Sequence, residues 1–112
     1  MAIFSRGDVI KVPFPYTDRA TRQHRPALVV SSSALEDAHR LLWVLMITSA
    51  ENRGWPGDVA IVDLEMAGLP VASVIRTAKI ATIEAGDAGK LGRISASVLK
   101  RVMTHVGREL DA

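Results

Sequence analysis

The sequence predicts a mainly β domain, an antiparallel curled sheet or small barrel closed on one side by a C-terminal helix. Three observations predict it. Short apolar runs rich in β-formers recur along the chain, separated by polar stretches that carry Gly or Pro. No helix of crossover length separates the early runs, which argues against parallel βαβ units. The hydrophobic period then changes near the end, where Val98, Leu99, Val102, Met103, Val106 and Leu110 fall at helical spacing.

The elements follow in order. Arg6-Gly7-Asp8 reads as a turn, with Asp8 a turn residue. Val9 to Phe14 is the first strand, and Pro13 and Pro15 mark its end because proline cannot donate to a ladder. Thr17 to His24 is polar, without apolar periodicity, and reads as an exposed loop. Ala27 to Ser31 is a short apolar strand, and Ser33 to His39 a helical turn with Ser33 as N-cap. Leu41 to Thr48 is apolar on both faces, which predicts a central strand, with Trp43 in the core. Glu51 to Asp58 holds Gly54, Pro56 and Gly57 and is a loop; Val59 to Val62 is a strand; Glu65 to Pro70 is a turn around Gly68. Ser73 to Ile83 is one long or bent strand, after which Gly86, Gly89 and Gly92 break the chain. Ser95 is placed to cap the terminal helix, whose wet face carries Lys100, Arg101, Arg108 and Glu109.

At 112 residues the chain is expected to be a single domain, residues 1–112, large enough to build a core without staples. It has no cysteine, so disulfide frameworks, thiolate metal sites and cysteine nucleophiles are excluded. His24, His39 and His105 show no metal-ligand spacing, and no metal or other cofactor is expected. No Lys-Ser/Thr pair follows the late glycines, so they form no P-loop, and there is no G-x-S-x-G elbow. The longest apolar run, Leu41 to Ile47, is far short of the ~20 residues of a spanning helix. The first residues are too short and too polar for a signal peptide, so the expected address is the cytoplasm, with no membrane partner. The net charge is only +2, yet ten of the fourteen cations are Arg, the residue that forks onto phosphates.

Arg19, Arg22, His24 and Arg25 form the densest basic cluster. It would make a phosphate-binding lip, although spacing alone favours the plainer reading of a solvated hairpin tip. Arg25 precedes Pro26, which holds it extended at the rigid start of a strand, where a side chain is well aimed. Thr48 and Ser49 end the most apolar strand, where hydroxyls either point into a pocket or satisfy local backbone groups. Arg76 and Lys79 are three apart and face opposite sides of a regular strand; a bulge is required to bring both to one groove. His24 is a candidate for acid–base work, and Tyr16 and Trp55 are candidates for stacking on bases. These features suit RNA or DNA, and equally a protein partner.

The order of motifs is more specific than any one of them. The chain runs Arg6-Gly7-Asp8-Val9-Ile10, Val12-Pro13-Phe14-Pro15-Tyr16-Thr17-Asp18, Arg25-Pro26-Ala27-Leu28-Val29-Val30-Ser31, Ile47-Thr48-Ser49, Gly57-Asp58-Val59, Ala67-Gly68-Leu69, Ser73-Val74-Ile75-Arg76 and Lys79-Ile80-Ala81-Thr82-Ile83. This series resembles the MazF/PemK family of bacterial toxins, closest to its PemK-like branch, over almost the whole chain. The resemblance implies an SH3-like curled sheet of the MazF/PemK/CcdB kind with a C-terminal helix. It implies a homodimer that cleaves single-stranded RNA at short sequences without a metal and stops translation. It also implies a cognate antitoxin that covers the RNA groove, DNA being reached only through that complex. By position, Arg25 matches the family's catalytic arginine and Thr48 its catalytic threonine, while Ser49, Ser73 and Arg76 match positions lining the RNA groove. Arg22 and Lys79 are added as electrostatic contacts to RNA. Several members carry acids where this chain has Arg22-Gln23-His24 and Ala78, which leaves Asp18 or His24 as the candidate general base. The same fold also serves toxins that poison a topoisomerase by contact, and a degenerate member would bind only its antitoxin. The pairing of Arg25 with Thr48 favours the ribonuclease.

Overall fold

The structure, a computed structural model, describes residues 2–13 and 24–111. The strands are β1 (Asp8–Pro13), β2 (His24–Val29), β3 (Leu41–Ser49), β4 (Val59–Ile61), β5 (Ser73–Glu84) and β6 (Gly89–Arg93). The helices are α1 (Ser33–His39), α2 (Leu64–Ala67) and α3 (Ala96–Leu110), with 3₁₀ turns at Ala50–Asn52 and Ala85–Asp87. The strands form one antiparallel sheet in the order β4-β5-β3-β2-β1-β6, curled into a half-barrel.

Alternation along the strands feeds two hydrophobic clusters on opposite faces. Val9, Leu28, Leu45, Ile47 and Ile75 meet Val98, Val102 and Val106 of α3. Their neighbours Ile10, Val12, Ala27, Val29, Leu42, Val44, Ala81 and Ile83 gather on the other face with Phe4. A strand buried on both sides has no polar face, which is why β3 reads as an unbroken apolar run. The terminal helix forms as its spacing predicts, and the Ser95 hydroxyl accepts a hydrogen bond from Val98 N–H at 3.3 Å.

Several elements differ from the sequence expectation. The glycine-rich segment does not break the chain but forms β6, paired with β1. Glycine is needed there because the strand passes directly over α2. A Cβ on Gly92 would collide with the backbone of Met66 and Ala67, and one on Gly68 with the backbone of Leu91. Gly68 also closes α2 at φ +71°, a left-handed conformation that favours glycine. Gly92→Ala is therefore expected to lower stability by about 2 kcal/mol or more, because the colliding atoms are backbone and have no side-chain rotation to escape by. Urea denaturation reads this directly, and a midpoint unmoved from wild type would contradict the close packing.

Asp8 is more than a turn residue: it is buried, accepts from Ser5 N–H at 2.9 Å and lies 3.5 Å from Lys90 Nζ. Ser32, not Ser33, occupies the N-cap of α1. The helix's buried Glu36 holds the N-terminal segment, its Oε2 accepting from Ile3 N–H at 2.9 Å and its Oε1 from Phe4 N–H at 3.0 Å. Trp43 is 48% exposed rather than in the core. It lies on the α3 face of the sheet, beside Ile80, Val106 and Leu110, in an open groove of about 320 Å³ at the end of the helix, where cover runs out.

Candidate functional site

Strand parity brings the two leading candidates to one face. Ala27 and Val29 of β2 share a cluster with Leu42 and Val44 of β3, and Met46 packs against it. Side chains alternate, so Arg25 and Thr48 project from this same face. The ladder pairs Val29 with Val44, Leu28 with Leu45 and Ala27 with Met46, then stops although both strands continue. Pro26 has no N–H with which to carry it on. Extending that register by two residues leads from Ala27–Met46 to Arg25 opposite Thr48. Arg25 is half-buried with its Nε enclosed, and Thr48 is 9% exposed.

A bulge in β5 builds the neighbouring wall. Leu45 of β3 pairs with Ile80, but the next residue, Met46, pairs with Arg76. Thr77, Ala78 and Lys79 are thus extra residues on β5. The bulge meets the condition for Arg76 and Lys79 to share a groove, and both cations reach the Trp55 ring. The Arg76 guanidinium carbon lies 4.2 Å from the ring centroid and Lys79 Nζ 5.3 Å, within cation–π range. Trp55 itself remains 43% exposed.

Arg76 is not a loose surface cation. Its Nε donates to Asp58 Oδ1 at 3.2 Å and its Nη2 to Asp58 Oδ2 at 3.0 Å, with both side chains under a tenth exposed. Nη2 also donates to the Asn52 carbonyl at 2.6 Å. Asn52 Nδ2 in turn donates to Thr48 Oγ1 at 3.0 Å. A continuous chain of contacts therefore runs Asp58–Arg76–Asn52–Thr48. The loop that supplies Asn52, Trp55 and Asp58 is folded by its own hydrogen bonds: Asp58 N–H donates to the Trp55 carbonyl at 3.1 Å, and Trp55 N–H to Asp58 Oδ2 at 3.3 Å. Thr77 Oγ1 donates to the Gly57 carbonyl at 2.9 Å, and a Cβ on Gly57 would meet Thr77 Oγ1 at 2.6 Å.

The other candidates are placed differently. Ser49 and Ser73 pair across β3 and β5 and alternate away from Thr48. Their hydroxyls serve the local backbone, Ser49 Oγ accepting from Glu51 N–H at 3.3 Å and Ser73 Oγ donating to the Val71 carbonyl at 2.9 Å. His24 is exposed at the start of β2, opposite Pro13. Asp18 and Arg22, with Tyr16 and Arg19, lie outside the described residues. Among the described residues no group of His, Asp or Glu is arranged to hold a metal ion, and no helix is long and apolar enough to cross a membrane.

Sequence reasoning missed Asn52 and the role of Asp58. Gly57-Asp58-Val59 stood in the motif series, but nothing local points from Asp58 to an arginine eighteen positions away.

The family model for PemK-like, MazF-like toxins of type II toxin–antitoxin systems matches residues 5–110. The chain belongs to this toxin family. Its fold agrees with solved members of the PemK/MazF group. MazF from Deinococcus radiodurans, 22% identical, superposes with a TM-score of 0.79 over 100% of each chain. A MazE–MazF complex from the same organism, 23% identical, gives 0.78 over 99% of this chain and 98% of that one. A mycobacterial endoribonuclease in complex with its cognate antitoxin, 20% identical, gives 0.74 over 98% and 95%. No curated protein matches the chain in sequence. This PemK/MazF-like toxin therefore carries the curled sheet and terminal helix that its ordered motifs imply.

Proposed function

We propose that this toxin is a metal-independent endoribonuclease that cuts single-stranded RNA at short sequences and so inhibits translation. The observation that carries the reading is the meeting of Arg25 and Thr48 on one face, where the β2–β3 ladder opens. In the reaction the ribose 2′-oxygen attacks the adjacent phosphorus as its proton is removed. The 5′-oxygen of the next nucleotide leaves and takes up a proton, and a 2′,3′-cyclic phosphate remains. The pentacoordinate intermediate carries additional negative charge. Arg25 neutralises it with forked donors, and Thr48 donates one more hydrogen bond to a phosphoryl oxygen. Asp18 is the candidate to remove the 2′ proton, since His24, the other candidate, alternates in β2 to the face opposite Arg25. No external nucleophile is required, which suits a chain without cysteine.

Around this centre Trp55 offers an exposed ring as a platform for a base, with Lys79 and Arg22 drawing in the phosphates. Arg76 shapes the groove wall, while Ser49 and Ser73 alternate to the other face and act only through the backbone. The working unit is a homodimer, and a cognate antitoxin blocks its groove, as the likeness to toxins solved with antitoxins supports. DNA is reached only through that complex, in the cytoplasm.

The test is purified protein incubated with a long unstructured RNA in EDTA, with cut sites mapped. Cleavage at recurrent short sites with cyclic-phosphate ends is expected; intact RNA beside an active control nuclease overturns the reading. Trp55→Ala is expected to weaken binding of a 2′-O-methyl oligonucleotide of the mapped sequence by about 1–3 kcal/mol, the usual worth of one base–aromatic stack. An unchanged Kd by fluorescence anisotropy would remove Trp55 from the groove.

A further inference from the structure

We propose that Asn52 is a positioning residue that sets the direction in which Thr48 hydrogen-bonds. The inference rests on the ribonuclease reading and deepens it. A threonine hydroxyl has one proton to donate and lone pairs to accept with. Asn52 Nδ2 occupies a lone pair of Thr48 Oγ1 at 3.0 Å. The hydroxyl proton must then rotate to a staggered position away from Asn52. Among the described residues the Thr48 hydroxyl donates to no acceptor. The contact from Asn52 orients the proton, on the face that also carries Arg25, for donation to a phosphoryl oxygen as charge builds on it. Without Asn52, the hydroxyl is as free to accept as to donate, and part of its donor strength is lost to rotation.

Asn52 is held for this task from its backbone. It is the last residue of the 3₁₀ turn Ala50–Asn52, in which Ser49 Oγ accepts from Glu51 N–H. Its carbonyl receives Arg76 Nη2, and Arg76 is locked in turn by Asp58 and faced by Trp55. Ser49, Arg76 and Asp58 thus all act on Thr48 through Asn52. This gives Ser49 and Arg76 a part in the site although neither hydroxyl nor guanidinium is left open toward RNA.

The decisive substitution is Asn52→Asp, which keeps the shape but only accepts. Thr48 would turn its proton onto the new carboxylate and away from the phosphate. Under single-turnover conditions on the mapped oligonucleotide, Asn52→Asp is expected to lower the cleavage rate by about 10²-fold. Asn52→Ala, which removes the orienting bond without reversing it, is expected to cost roughly tenfold, with KM little changed in the alanine variant. In a Thr48→Val background neither change is expected to add more than about twofold, because residues that act as one unit are not additive. Equal losses with and without the Thr48 hydroxyl would overturn the proposal, since they would mark a charge or folding effect. So would full activity of Asn52→Asp.

A second measurement is independent of activity. In ¹⁵N-labelled wild type the Asn52 side-chain amide is expected to exchange slowly with solvent, and Thr48→Val is expected to abolish that protection. An amide indifferent to Thr48→Val overturns the positioning role while the ribonuclease reading stands. A protected amide in a protein that cuts no RNA overturns the ribonuclease reading, and with it the role assigned to this contact.

Discussion

Arg25→Ala is expected to reduce RNA cleavage by about 10²–10³-fold or more, the usual cost of removing a preorganised donor from a developing oxyanion. The size of the effect follows from the charge balance. No metal is expected to share the load, and in the proposed reaction the phosphorane gains charge beside Arg25, whose Nε is enclosed. A fixed guanidinium beside it stabilises the transition state more than the bound substrate, so the loss should fall on the chemical step. Arg25→Lys separates charge from geometry. It keeps the cation and loses the planar fork, and an intermediate rate is expected. Neither change should disturb folding much, because Pro26 and the pairing of Val12 with residue 25 hold the strand through the backbone. Single-turnover cleavage of the mapped oligonucleotide, with thermal melts alongside, reads both quantities. An Arg25→Ala protein that melts like wild type and cuts at the wild-type rate would place the chemistry elsewhere.

Asp58→Ala is the second large effect, and it acts on stability first. Asp58 and Arg76 form a bidentate pair with both side chains under a tenth exposed. Removing one partner leaves a buried charge uncompensated, which typically costs about 3–5 kcal/mol. The loop also loses its closing bond, since Asp58 Oδ2 accepts from Trp55 N–H. Replacing both partners, as in Asp58→Ala with Arg76→Met, is expected to restore much of the stability, because no unpaired charge then remains. It should not restore cleavage, because the support under Asn52 is gone with the guanidinium. Urea denaturation of the two single variants and the double variant gives the cycle. A loss below about 1 kcal/mol for Asp58→Ala would show the pair to be solvated rather than buried.

The strands of the apolar runs and the terminal helix were legible because each is written in a local repeat. β3 is apolar on both faces from Leu41 to Ile47, and α3 shows its buried stripe at Val98, Val102 and Val106. Pro26 marked Arg25 as an aimed side chain for an equally local reason. The candidate site was legible only where it coincided with such signals or with the ordered family motifs. β6 was hidden because its glycines signal a break, while their use is to let backbone pass over α2. Trp43 was misplaced because alternation tells which face a residue occupies and not whether a helix extends far enough to cover it.

The sequence by itself thus determined the apolar strands, the terminal helix and the family, and it singled out Arg25 and Thr48 as candidates, since periodicity and motif order are properties of neighbouring residues. Tertiary structure decided which of the distant side chains meet. The register of β2 on β3 sets Arg25 toward Thr48, and the bulge that slips Met46 from Lys79 to Arg76 brings Arg76 and Lys79 to one ring. The loop then delivers Asp58 to Arg76 and Asn52 to Thr48. Register and bulge exist only once non-local hydrogen bonds have formed between strands, and a one-residue slip in either would turn these side chains to the opposite face.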